Sequence, residues 1–258
     1  MGKIINQREG FIDNAKGIGI ILVILGHLSI SRNIYNFIYA FHMPLFIFLS
    51  GMVFHSSKIK KNIYFLSSVY FIISSLVSIP WYLLHFYLKK DFYLSIKKCF
   101  FSILGGGAAP FFRIDPSPAL WFLTALIVIE IISYYLEKVT NDIKYVIIIL
   151  LIGVGVMLAE IKTKSFIPWN IDVAFFLLPF FELGRISFHL IKNICMSKMI
   201  KFCLAFVSLG CVYFISNLNG TVNIYRCIFG SSLFLYYINS FLGIYGILLL
   251  SMCLPPPV

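Results

Sequence analysis

The chain has 258 residues, of which 60% are hydrophobic, 17% aromatic and only 12% charged, against roughly 25% charged in ordinary soluble domains. With a mean hydropathy of +0.93, no soluble core of this size could hide so much apolar surface, which excludes a soluble enzyme, a disordered chain and a collagen-like chain. The net charge of +11 arises from 21 Lys+Arg against 10 Asp+Glu; the bases sit between apolar segments, where loops and anionic headgroups account for them and nucleic acid is not needed.

A helix needs about 20 mostly apolar residues to cross the hydrocarbon core. That ruler gives eight spans, near 11–31, 35–54, 63–88, 119–136, 143–160, 170–188, 200–217 and 227–253. The expected fold class is therefore all-α: a polytopic transmembrane helix bundle forming a single integral-membrane domain over 1–258. The first apolar run is long, lacks a small-residue cleavage site and carries polar groups, so it does not read as a signal peptide. The early loops place Lys3, Arg8, Lys16 and the Lys58–Lys61 run on one side against a lone Arg32. By the positive-inside rule the N-terminus is expected in the cytoplasm of a cell with this protein in its inner membrane.

The first span carries Asp13, Lys16 and His27 in IDNAKGIGIILVILGHL. Ionisable groups in a span are expensive and mark a functional hypothesis. Eleven residues make three helical turns plus roughly 20°, so Lys16 and His27 share a face about 16 Å apart, with Asp13 close to it. Asp13 and Lys16 alone could be an i,i+3 pair with a snorkelling lysine; His27, still within the apolar run, is not covered by that reading. Gly17, Gly19 and Gly26 would let another helix approach. The second span, YAFHMPLFIFLSGMVF, runs the opposite way and brings His42 close to the depth of His27. Pro44 is expected to free a backbone carbonyl near His42, with Ser50 and Gly51 lower in the same helix.

Lys58, Lys60 and Lys61 follow that span. They serve topology without any further role, or else form a cationic edge that holds an anionic nucleotide. Residues 89–118 mix lysines, an apolar stretch and the glycines 105–107, and are expected to hold an interfacial helix and a re-entrant loop. Beyond it, Asp115 lies just outside the fourth span and Glu130 deep within it, expected to face the bundle interior. Asp172 opens the sixth span, where a helix N-terminus stabilises a negative group; Glu182 and Arg185 are spaced to pair. The six cysteines show no CxxC pair or histidine partner at ligand spacing, and no metal is expected.

These residues resemble acyltransferase family 3, the bacterial membrane O-acyltransferases, and in particular the fucose 4-O-acetylase-like branch. The likeness lies in REGFIDNAKGIGIILVILGH followed by IYAFHMPLFIFLSGMVF, and further in ALWFLTALIVIEII and IDVAFFLLPFFELG. The family's basic residue, ten intervening positions and a histidine fall on Lys16 and His27, and its basic-x-x-basic element falls on Lys58 and Lys61. At these places lysine stands where arginine is common, which removes a bidentate fork. The resemblance implies transfer of an acetyl group from cytoplasmic acetyl-CoA, as co-substrate, to a hydroxyl of a surface polysaccharide or its lipid-linked sugar precursor. It implies His27 as catalytic residue with His42 beside it, and Lys16, Lys58 and Lys61 as donor-binding cations; whether His27 acts as general base or carries the acetyl group stays open. It also implies further spans beyond the last, so that the Leu254-Pro255-Pro256-Pro257-Val258 end reads as a truncation. A transporter or flippase for an acidic or glycan substrate is the alternative, using the same polar stripe as a conduit. A non-catalytic scaffold fits worst, because it predicts no buried ionisable groups.

Overall fold

In the computed structural model, large apolar side chains cover the outside of the helices, and the inside holds small polar side chains among apolar ones. Leu76 is 70% exposed, Ile149 68% and Phe214 71%, whereas Ser74, Ser78, Thr124, Asp172 and Ser240 are fully buried. In water such a surface would be one continuous aggregation patch; in a bilayer it is the lipid-facing side. The structure describes residues 10–89, 92–107, 118–162 and 167–255. Among them are ten α-helices and one two-stranded hairpin, so the all-α membrane bundle expected from composition is what forms. Four stretches are long and apolar enough to cross a membrane: Arg32–Met52, Ser56–Leu84, Lys198–Asn219 and Leu233–Cys253.

The chain divides into two units. One comprises Met1–Val53, Leu183–Asn223 and Ile228–Val258. It holds α1 (Gly10–Gly26), α2 (Arg32–Tyr39), α3 (His42–Met52), α9 (Lys198–Asn219), β1 (Val222–Asn223), β2 (Ile228–Phe229) and α10 (Leu233–Cys253). α10 lies along α9, where Ser208 Oγ donates to the Leu242 carbonyl at 2.8 Å, and it also packs on α1 and α3. The turn from α9 to α10 is organised by Asn219. Its Nδ2 donates to the Phe229 carbonyl at 2.8 Å, and its Oδ1 accepts from Ser231 Oγ at 3.1 Å and the Ser232 amide at 2.9 Å. Buried polar groups paired in this way keep irregular backbone tolerable at the end of a span.

The second span differs from expectation. It is not one helix but two, α2 and α3, broken at Ala40 and Phe41, where Phe41 takes φ −144° and ψ −15°. Pro44 therefore lies in the first turn of α3, where a missing N–H is no loss, rather than kinking a continuous helix. The carbonyl that an amide at position 44 would have taken, that of Ala40, accepts instead from Ser240 Oγ of α10 at 2.6 Å.

The other unit comprises Phe54–Glu182 and Ile224–Cys227. It contains α4 (Ile59–Lys89), α5 (Phe92–Leu104), α6 (Trp121–Leu136), α7 (Asn141–Lys162) and the first half of α8 (Ile171–Lys192). α5 ends in the Gly105–Gly107 turn, so a helix does form within 89–118. The turn's carbonyls are taken one by one. Gly105 O accepts the Trp169 amide at 2.9 Å, Gly106 O accepts Thr124 Oγ1 at 3.1 Å and Asn170 Nδ2 at 3.0 Å, and Gly107 O accepts the Tyr225 hydroxyl at 2.6 Å. Lys3, Arg8 and Asp115, and the remainder of that loop, lie outside the described residues.

Candidate active site

α1 turns its Ile12, Ala15, Gly19 and Gly26 stripe inward, a spacing of one helical face. A side chain at Gly19 would meet Phe46 at 2.8 Å, and one at Gly26 would meet Tyr39 Cε2 at 3.1 Å. These two glycines admit α3 and α2. Gly17, also expected to admit a neighbour, has nothing within 4 Å and is exposed.

The helix stops at Gly26, and His27 occupies the turn that follows, its amide still reaching the carbonyls of Val23 and Ile24 at 3.2 and 3.1 Å. His27 is exposed. The expectation of a buried imidazole within the helix is thus corrected: α1 ends at Gly26, and the extended Ser31 that precedes α2 follows only four residues after His27, which leaves no room for a further turn.

His42 takes the opposite place. It is 5% exposed at the start of α3, and its Nδ1 lies 2.8 Å from the Ile38 carbonyl. A carbonyl only accepts, so Nδ1 carries the proton and Nε2 of the neutral ring is left as an acceptor. The Tyr39 ring stands edge-on to it with centroids 4.8 Å apart, and the Tyr39 hydroxyl reaches the Gly26 carbonyl at 3.4 Å. Tyr35 stacks on Tyr39 with ring centroids 3.9 Å apart. Tyr39 thus links the residue before His27 to the His42 ring, and the two histidines lie within electrostatic reach of each other. Tyr39, which makes the connection, was not singled out, although its place three residues before His42 on an aromatic-rich segment was the available signal.

Of the other residues in this unit, Lys16 and Asp13 are half-buried beside the inward stripe of α1. No ion pair of Lys16 is seen among the described residues. Ser50 spends its hydroxyl within α3, donating to the Phe46 carbonyl at 2.8 Å.

In the other unit, Lys58 ends a short 3-10 turn and Lys61 lies in the first turn of α4; both are exposed, with Lys60 between them. Three cations thus crowd the positive end of a 31-residue helix, an arrangement suited to anions. Glu130 is 6% exposed on α6 and accepts from the Asn62 side chain of α4, so it faces the interior as expected. Asp172 is fully buried in the first turn of α8, where Cys227 Sγ donates to its Oδ2 at 3.2 Å. A pair that the sequence did not suggest joins α7 to α8: Lys144 Nζ meets Glu182 Oε2 at 2.6 Å with both side chains 4% exposed. Lys144 reads in sequence as a topology-setting surface charge, but only its burial distinguishes it from its exposed neighbours Ile143 and Tyr145.

Compared with known proteins, the chain matches the family model described as an acyltransferase domain, Acyl_transf_3, over residues 9–256. No curated protein and no solved structure matches it.

Proposed function

The chain belongs to this acyltransferase domain family, and from that premise we propose that it moves an acetyl group from cytoplasmic acetyl-CoA to a hydroxyl of a cell-surface polysaccharide or of its lipid-linked sugar precursor. His27 is the residue assigned to the chemistry. In the step proposed, its imidazole accepts the acceptor's hydroxyl proton as that oxygen attacks the thioester carbonyl; the carbon–sulfur bond breaks, and the proton passes to the departing sulfur. The observation that carries this reading is the pair of histidines joined through Tyr39. One imidazole is open to a substrate, and the other is buried with its Nδ1–H committed to a carbonyl. A residue that reacts must be reachable, which favours His27, and a ring held from two sides is suited to orienting, which favours His42 as its support.

Lys58 and Lys61, with Lys16, are assigned to the donor. Exposed lysines at a helix N-terminus attract phosphate oxygens as point charges, without the bidentate geometry of arginine. Membership of an acyltransferase family takes away the ground of the transport alternative, which rested on the same polar residues.

The test is acetyl transfer in membranes, with labelled acetyl-CoA, by chains of equal abundance. His27→Gln keeps a hydrogen-bonding side chain and removes the base; loss of about 10²–10⁴ in rate is expected. Near-normal transfer by this variant would show that His27 is structural.

A further inference from the structure

A groove runs along the outside of the second unit between α6, α7 and α8. Its walls are Val128, Ile132 and Leu136 of α6, Ile147 and Leu151 of α7, and Phe175 of α8, and it holds about 520 Å³. That is ample for part of a small molecule. The wall residues of α7 are spaced by four, and at the next position in that series, Gly155, α7 packs closely on α8: a side chain there would meet Phe175 Cβ at 3.2 Å. α8 thus comes close to α7 beyond the Leu151 end of the groove. Towards the other end lies Tyr135, also part of the wall and 61% exposed. Lys138 Nζ stands 5.4 Å from the Tyr135 ring centroid and 4.3 Å from that of Tyr134. Both tyrosines and the lysine belong to the last turn of α6 and the residues just after it, the place where aromatic and basic side chains meet headgroups.

We propose that this groove binds one acyl chain of an anionic phospholipid, with the lipid phosphate against Lys138. Each half of the site selects a different part of the ligand. An apolar trough on the lipid-facing side of a span takes a hydrocarbon chain and nothing polar. A cation held at its Tyr135 end by two aromatic faces presents charge to the headgroup layer, where it discriminates anionic from zwitterionic lipids. The site is separate from the residues assigned to acyl transfer and does not depend on that assignment.

The experiment is native mass spectrometry of the full chain, delipidated in mild detergent and then exposed to mixed vesicles with equal parts of phosphatidylglycerol and phosphatidylcholine of identical chains. The native chain is expected to retain a lipid with about fivefold preference for phosphatidylglycerol, the ratio one cation near a membrane surface supplies. Lys138→Gln should bring that preference close to unity while lipid is still retained. Ile132→Trp should fill the trough and abolish retention of either lipid, and Leu151→Phe, from the facing wall, provides the same test should the tryptophan variant fold poorly. Equal retention of the two lipids by the native chain would overturn the proposal. So would an unchanged preference in Lys138→Gln, or retention undiminished in both trough-filling variants, which would mean that only loosely held surface lipid is being read.

Discussion

His42 has its Nδ1 proton committed to the Ile38 carbonyl before any substrate arrives, and this fixes what it can do. Rotation of the ring would break that bond and the edge contact with Tyr39, so its Nε2 points in one direction only. His42→Ala is therefore expected to lower acetyl transfer by a smaller factor than His27→Gln, with Tyr39→Leu resembling it, since both loosen orientation rather than remove the base. A rate for His42→Ala as low as that for His27→Gln would place both imidazoles in the chemistry. Lys144 and Glu182 make a contrasting residue-scale case. Removing one partner takes away the opposite charge that compensates the burial of the other, so Lys144→Met should destabilise by about 3–5 kcal/mol, whereas the double replacement Lys144→Met with Glu182→Leu should recover most of that. Thermal unfolding of the three variants in detergent, compared as a cycle, checks the expectation.

At the scale of elements, the break between α2 and α3 is held from outside. Pro44 withholds the amide that would have continued the ladder to Ala40, and Ser240 of α10 supplies a hydroxyl in its place. Ser240→Ala would leave a buried carbonyl without a donor, a change worth about 1–3 kcal/mol in stability; an unaltered unfolding temperature would mean that the bond contributes nothing net. The same break lets the segment carrying Tyr39 and His42 change direction beside the end of α1, where Gly26 leaves space for the Tyr39 ring. A larger residue at Gly26 should therefore reduce transfer more than one at Gly17, which has no neighbour within 4 Å.

At the scale of the whole molecule, two expectations concern the membrane as a frame. The basic asymmetry of the early loops predicts that Lys60→Cys is labelled by impermeant thiol reagents from the cytoplasmic side only, in a chain whose native cysteines have been replaced. If Lys58 and Lys61 hold the unreacting part of the donor, Lys58→Glu with Lys61→Glu should raise the donor KM more than it lowers kcat; unchanged donor binding would leave topology as their role. Much of the architecture was legible in the sequence because a bilayer imposes a one-dimensional rule: long apolar runs span, and their ends are marked by charge. All eight runs emerge as helical segments, and His27, His42, Lys16, Glu130 and Asp172 stood out because ionisable groups in apolar runs are rare. Partners in space were not legible. That His27 lies beyond its helix while His42 is sealed in, that Ser240 completes the Ala40 carbonyl, and that Lys144 finds Glu182 all depend on which faces of separate helices meet. Span hydropathy is nearly blind to rotation about the helix axis, because lipid and protein interior are equally apolar; side-chain packing and hydrogen bonds between helices set that rotation, and they exist only once the helices have come together.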